Sequence, residues 1–91
     1  MQGKVVVITG ASGGIGAAAA SVVASRGGLI ALVARREAQL RTVAERCGKN
    51  ALPVVADVTR RDDVRRVIRT AIEHFGHIDV LVANAGIASI S

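Results

Sequence analysis

The stretch that most constrains the fold of this chain is KVVVITGASGGIG at residues 4–16. It reads as a short buried strand, a glycine-rich turn and the first turn of a helix. Gly10, Gly14 and Gly16 are spaced G-x3-G-x-G. In a phosphate-binding turn, one glycine makes a tight reversal, another lets the backbone approach a pyrophosphate, and another lets helix and strand pack closely. The alternative is a tight strand–helix connection that binds no ligand.

Donors for an anion are also present in this turn. Ser12 can offer its hydroxyl to a phosphate oxygen, and Gly13 and Ile15 can present backbone N–H groups. The helix dipole favours a negative charge at the same place. The turn therefore predicts a phosphate-containing ligand.

The remainder of the chain alternates strands with helices. The predicted strands are Val5–Ile8, Leu29–Ala34, Ala51–Ala56 and Val80–Ala83. The first predicted helix runs from Gly14 or Ile15 to just before Gly27, the second from Glu37 to Cys47, and the third from Arg60 or Asp62 to Phe75. Alternating elements with short links imply one parallel sheet with right-handed crossovers. Pro53 has no N–H to donate to a sheet, so the third strand should lie at an edge.

Apolar residues at helical spacing predict which helix faces are buried. These faces are Ile15, Ala18, Ala19, Val22 and Val23 in the first helix, Leu40, Val43, Ala44 and Cys47 in the second, and Val64, Val67, Ile68, Ala71, Ile72 and Phe75 in the third. Gly27 with Gly28, Gly48 and Gly76 are expected to end the three helices, and Thr59 or Asp62 to cap the third helix.

The turn sequence Thr9–Gly16, TGASGGIG, resembles the T-G-x3-G-x-G cofactor motif of the short-chain dehydrogenase/reductase family. The resemblance implies an α/β, Rossmann-like parallel sheet with strand order 3-2-1-4. It implies that residues 1–91 form a single, truncated dinucleotide-binding domain that corresponds to the amino-terminal part of a member. The family's activity is hydride transfer between carbonyls and alcohols.

The end of the second strand indicates which dinucleotide is bound. An acidic residue about 20 residues past the glycine turn would bind a ribose 2′-hydroxyl, but this chain has Arg35 and Arg36 there. A guanidinium attracts a 2′-phosphate, whereas a carboxylate repels it. The sequence therefore predicts NADP(H) in preference to NAD(H). The alternative is a solvated pair of arginines.

Two further segments match the family's cofactor site. Asp57-Val58 corresponds to its acidic site after the third strand, so the resemblance implies contact with the adenine; the alternative is capping of the third helix. Asn84-Ala85-Gly86 resembles the N-N-A-G motif, with Ala83 in place of the first Asn. The resemblance implies that Ala85 and Gly86 leave room for the ribose and nicotinamide, while Asn84 either supports neighbouring strands or contacts the cofactor.

The family's catalytic residues have no counterpart in this chain. Reduction in the family uses a Tyr and a Lys in Y-x3-K together with a Ser, but the chain contains no tyrosine, and its lysines are Lys4 and Lys49. We therefore expect cofactor binding without catalysis by the chain alone. The alternatives are a non-catalytic dinucleotide-binding or self-associating module and a non-functional fragment.

Composition bounds the partners and the setting. The net charge of +5 invites a nucleic-acid interpretation, but the arginines are dispersed and the aromatic content is 1%, so bases would find few stacking partners. One cysteine, Cys47, excludes an internal disulfide, and His74 and His77 lack a third metal ligand. No membrane span is expected, and a reducing, cytoplasmic setting is predicted. The fourth strand should form an exposed edge through which the chain forms a homo-oligomer.

Overall fold

The computed structural model describes residues 2–83, so the predictions for Asn84, Ala85 and Gly86 lie outside the described residues. The elements in chain order are β1 (Val5–Thr9), α1 (Gly14–Ser25), β2 (Leu29–Ala34), α2 (Glu37–Cys47), a 3₁₀ turn (Gly48–Asn50), β3 (Ala51–Val55), α3 (Arg61–Phe75) and β4 (Val80–Val82). The predicted order of strands and helices is confirmed, with boundaries that agree to within about two residues.

The strands form one parallel sheet in the order β3-β2-β1-β4, as the family resemblance implied. β1 and β2 lie at its centre, and every residue of β1 is buried. Aliphatic strands of this kind suit a parallel sheet that is covered on both faces. Pro53 is exposed on β3, opposite Leu32, and β3 lies at an edge as predicted.

Helices cover the two faces of the sheet unequally. On one face, Ile8 and Leu32 pack with Ala20 of α1 and Leu40 of α2. The other face is covered by α3 alone among the described helices, and the buried residues there are Val7, Ala31, Val33, Val54, Ala56, Val67 and Ala71. Alternate residues along each strand point to opposite faces, so both layers draw on the same strands.

The predicted buried face of α1 is wrong for Ile15, Ala18 and Val22, whereas Ala19 and Val23 are partly buried and pack against the core as predicted. Ile15 and Val22 are 78% and 52% exposed, while Gly16 and Ala20 are the buried residues of this helix. Small residues allow the helix backbone to approach the strands closely, and that approach leaves no space for larger side chains on the inner face. Close approach, rather than maximal hydrophobicity, therefore sets the rotation of α1.

The α2 face is confirmed, but α3 is buried only in part. Leu40 and Val43 are buried in α2. In α3, Val67 and Ala71 are buried, whereas Ile68 and Ile72 are 39% and 45% exposed, contrary to prediction. The apolar stripe of α3 is wider than the sheet surface available to it, because β4 has no neighbour on its outer side in the described sheet.

The helix ends follow the glycines but not the predicted cap of α3. Gly48 and Gly76 have φ of 83° and 95° at the ends of α2 and α3, the left-handed region that glycine favours. At the start of α3, the N-cap residue is Arg60 and no side chain caps the helix. The prediction of Thr59 or Asp62 as cap is therefore wrong.

Asp79 joins β1 to β4 at the amino-terminal end of the sheet. Its backbone N–H donates to the Val5 carbonyl, and its carboxylate accepts from the Val5 N–H, both at 2.8 Å. His77 Nε2 lies 2.8 Å from the same carboxylate oxygen. The bond from Val5 is the main cause that lowers the pKa of Asp79 from its ordinary value of 3.8, and the proximity of His77 lowers it further.

We expect Asp79→Ala to lower the melting temperature at neutral pH, because it removes an acceptor from the Val5 N–H. A carboxyl group whose pKa is lowered by folding stabilises the fold above its unfolded pKa and loses this effect as the pH falls through its folded pKa. The difference between the two proteins should therefore be present at neutral pH and narrow as the pH falls below about 4. Circular dichroism melts over this range measure it, with Asp62→Ala as the exposed-carboxylate control; a gap that does not change with pH would contradict the assignment.

Candidate functional site

The carboxyl ends of β1, β2 and β3 open onto one cleft of about 490 Å³. In parallel α/β sheets, ligands bind outside this end of the strands. The residues that line the cleft are Gly10, Ser12, Val33, Ala34, Arg35, Arg36, Gln39, Ala56, Asp57, Val58 and Thr59. Segments that are far apart in the sequence, namely the glycine turn, the arginine pair and Asp57-Val58, thus form a single surface.

The glycine turn needs backbone conformations that other residues rarely adopt. Gly10 and Gly14 have φ of 65° and 59°, whereas Gly13 is extended with φ of −176°. Ala11 is fully buried, and its N–H donates to the Val33 carbonyl at 3.1 Å, which fastens the turn to β2. This bond and the burial of Ala11 help to set the path of the chain between β1 and α1.

The amino terminus of α1 faces this turn. Gly13 is the N-cap residue, no side chain caps the helix, and its first turn carries no acidic residue. The first N–H groups of a helix have no partner within the helix. The first N–H groups of α1 therefore have no side-chain cap at the place where an anion would lie against the turn.

The other predicted turn residues are placed differently. Gly13 and Gly14 line a neighbouring cleft of about 390 Å³ between α1 and α2, which shares Ser12 and Gln39 with the first cleft. Ile15 is exposed, and Gly16 is buried on the inner face of α1. Gly16 therefore serves the packing of α1, and Ile15 has no side-chain role in either cleft.

Arg35 and Arg36 stand at the end of β2 and are both exposed. Arg36 is the N-cap residue of α2. The ion pairs between residues 2 and 83 join other side chains, Arg41 to Glu37, Arg66 to Asp63 and His77 to Asp79. Within that part of the chain, both guanidinium groups therefore remain available to a ligand.

Asp57 forms the opposite wall of the cleft. Its Oδ1 accepts from the backbone N–H of Thr59 at 3.0 Å and from the Thr59 hydroxyl at 2.6 Å. These bonds lower the pKa of Asp57 below its ordinary 3.8, and the charges of Arg35 and Arg60 lower it further. The carboxylate is thus ionised at neutral pH, and it closes a turn before α3 instead of capping that helix.

Several lining residues were not predicted from the sequence. Gln39 lies three residues after Arg36 on α2, which places it on the same side of the helix as the N-cap. Thr59 follows Asp57 in a D-x-T pattern that is typical of a side-chain turn. Both signals were available in the sequence, but neither residue belongs to the motif glycines or the charged pair.

Among residues 2–83, no three His, Cys, Asp or Glu side chains are grouped closely enough to hold a metal ion. No helix in the same range has the length and apolar character needed to cross a membrane. The burial of Cys47 raises the pKa of its thiol above its ordinary value, although a bond from Ser21 opposes the shift.

Comparison with known proteins supports the same interpretation. A family model described as short chain dehydrogenase matches residues 4–91. The chain is 47% identical over 91 residues to an 11-beta-hydroxysteroid dehydrogenase of Pinus massoniana, covering 96% of this chain and 26% of that protein. It is 48% identical over 95 residues to 11-beta-hydroxysteroid dehydrogenase 1A of Arabidopsis thaliana, covering 100% of this chain and 27% of that protein.

Solved structures agree in fold. A metagenomic short-chain oxidoreductase in complex with NADP has a TM-score of 0.89 at 37% identity, covering 96% of this chain and 41% of that one. A 3-ketoacyl-(acyl-carrier-protein) reductase from Brucella melitensis, complexed with NADH, has a TM-score of 0.85 at 38% identity, covering 88% and 33%. The chain spans about a quarter of the length of the two dehydrogenases from plants.

Proposed function

The chain belongs to the short-chain dehydrogenase family, and we propose that it is the NADP(H)-binding part of an oxidoreductase that transfers hydride between a carbonyl and an alcohol. The observation that carries the proposal is the cleft in which Arg35 and Arg36 face the glycine turn. The related structures hold NADP in one case and NADH in another. The preference must therefore come from residues of this chain.

The charges in the cleft favour a 2′-phosphate. Both residues that follow β2 are arginines, and the carboxylate in the cleft, Asp57, lies on the β3 side and bonds to Thr59. A guanidinium next to the adenine ribose can donate two hydrogen bonds to a phosphate. The pyrophosphate would then lie against the glycine turn and the amino terminus of α1.

The remaining contacts follow from the family resemblance. Asp57 and Val58 would contact the adenine, because they line the cleft on the β3 side. Asn84, Ala85 and Gly86 follow β4 in the sequence and would border the nicotinamide ribose. Ile15 would contribute its backbone N–H to the phosphates.

We expect the protein to bind NADPH more tightly than NADH, and Arg35→Asp to weaken NADPH binding about 10- to 100-fold, since a hydrogen bond to a charged group contributes about 1.5–3 kcal/mol. Binding of NADH should change much less, because its ribose carries a hydroxyl there. Titrations followed by nucleotide fluorescence measure both affinities.

Arg69→Asp is the matched control, because this arginine is exposed on α3, outside the cleft, and the charge change is the same. Tighter binding of NADH by the unmodified protein would overturn the cofactor assignment. A failure to bind either nucleotide would favour the alternative of a non-functional fragment.

The chain by itself is proposed to bind cofactor without turning it over. Hydride transfer to a carbonyl requires a proton donor beside the nicotinamide, and the family's donor is a tyrosine that this sequence lacks. We expect no oxidation of NADPH with carbonyl substrates when the 91-residue chain is assayed alone. Absorbance at the NADPH band measures this, and steady carbonyl-dependent oxidation would contradict it.

Self-association through β4 is the second part of the proposal. β4 lies at the edge of the described sheet, where Val80 and Leu81 are 44% and 55% exposed. An apolar edge with free backbone groups pairs readily with another strand. A second copy of this chain is the proposed partner.

The proposed setting is a reducing compartment such as the cytoplasm, because Cys47 is a free thiol.

Light scattering tests the association directly. We expect the average mass to rise with concentration, and Leu81→Lys to reduce that rise because a charge on the edge opposes pairing. Val55→Lys is the matched control, because Val55 is 42% exposed on the opposite edge strand. A monomer at every concentration would contradict the proposal.

A further inference from the structure

A network of side chains outside the cleft holds the loop that forms its β3 wall. The backbone N–H of Asp57 donates to Asp63 Oδ2 at 2.7 Å. Arg66 lies 3.8 Å from the other oxygen of Asp63 and donates to the Val55 carbonyl at 2.8 Å. Two residues of α3 therefore bind the backbone on either side of Ala56, just where β3 becomes the cleft wall.

We propose that Asp63 is a positioning residue that fixes Asp57, Val58 and Thr59 for recognition of the adenine. This inference rests on the proposed function, because it assumes that these residues face the adenine of a bound dinucleotide. Asp63 does not line the cleft itself. The Asp63 carboxylate accepts a hydrogen bond from the Asp57 N–H, while the Asp57 carboxylate accepts one from the Thr59 N–H. Asp63 therefore acts on the cleft through the backbone of Asp57.

The other bonds of the loop show why Asp63 matters. The Ala56 N–H donates to the Ala34 carbonyl of β2 at 2.9 Å, and the Arg60 N–H donates to the Asp57 carbonyl at 3.0 Å. Between these two anchors, the Asp57 N–H is satisfied by the Asp63 carboxylate. Removal of that carboxylate leaves a partly buried donor without its partner, which favours a different path for the loop.

A simple helix-stabilising role does not explain this geometry. Asp63 is the third residue of α3, a position from which an acidic side chain can reach back to the N–H of the N-cap residue in a capping box. Here the N–H of the N-cap residue, Arg60, is bonded to the Asp57 carbonyl. The Asp63 carboxylate reaches past it to Asp57, three residues farther back, and so contacts the cleft wall.

The neighbouring Asp62 provides a matched control. It lies in the same first turn of α3, carries the same charge and is exposed. Both carboxylates interact favourably with the helix dipole, but it is the Asp63 carboxylate that accepts the hydrogen bond from the Asp57 N–H. Any effect that depends on helix charge alone should therefore be the same for Asp62→Ala and Asp63→Ala.

The decisive measurement compares NADPH with the analogue that carries hypoxanthine in place of adenine. The two nucleotides share the pyrophosphate and the 2′-phosphate and differ only in the base. A site arranged to accept hydrogen bonds from the adenine amino group discriminates against the analogue, which has an oxygen there. The affinity ratio therefore reports on the cleft wall and not on the glycine turn or the arginines.

We expect the unmodified protein to prefer NADPH over the analogue by about tenfold, and Asp63→Ala to bring the ratio within about threefold of one. Asp63→Asn should restore the preference, because its amide oxygen can accept the same bond, while the partly exposed pairing with Arg66 at 3.8 Å contributes little. Hydrogen exchange at the Asp57 amide should accelerate in Asp63→Ala but not in Asp63→Asn or Asp62→Ala.

The outcomes separate the inference from the proposed function. If the unmodified protein binds neither nucleotide, the proposed function fails and the positioning role fails with it. If it binds NADPH with a preference for adenine that Asp63→Ala leaves intact, only the inference is overturned. Equal weakening of both nucleotides together with a lower melting temperature would assign Asp63 a purely structural role and also overturn it.

Discussion

The hydrogen bonding of β1 to strands on both sides is the constraint on which the rest of the structure depends. β1 pairs with β2 along its whole length and with β4 over its centre, and every one of its residues is buried. A strand so enclosed has to leave the sheet through a sharp turn at its carboxyl end. The glycine turn makes that exit, and the bond from the Ala11 N–H to Val33 fixes its direction.

Groups of opposite charge lie on two sides of the cleft beside the glycine turn. Arginines follow β2, and an aspartate follows β3, so the β2 side suits a phosphate while the β3 side suits a group that donates hydrogen bonds. Asp57 is also close enough to Arg35 for the guanidinium to lower the pKa of its carboxyl group. The β3 side needs more support than the β2 side, because β3 is an edge strand with one neighbour. Arg66 and Asp63 supply that support from α3.

Sequence patterns predicted most of the fold because they depend on local rules. Alternation of strands and helices indicated a parallel sheet, and Pro53 indicated the edge. The family resemblance gave the order of the strands. The same reasoning was less reliable for helix rotation. Ile15 and Val22 were expected on the buried face of α1 but are exposed, since a periodic apolar pattern does not say how closely a helix approaches its sheet.

The sequence by itself determined which groups are available for binding: three motif glycines, two adjacent arginines and an aspartate after a strand. The tertiary structure alone brought Gly10 of the glycine turn, the two arginines and Asp57 to one cleft and added Gln39 and Thr59 to its lining. It also revealed the bond from Asp57 to Asp63, six residues apart. The physical reason is that residue type fixes which hydrogen bonds and charges a side chain can offer, whereas the meeting of parallel strand ends and the rotation of each helix fix which partners it reaches.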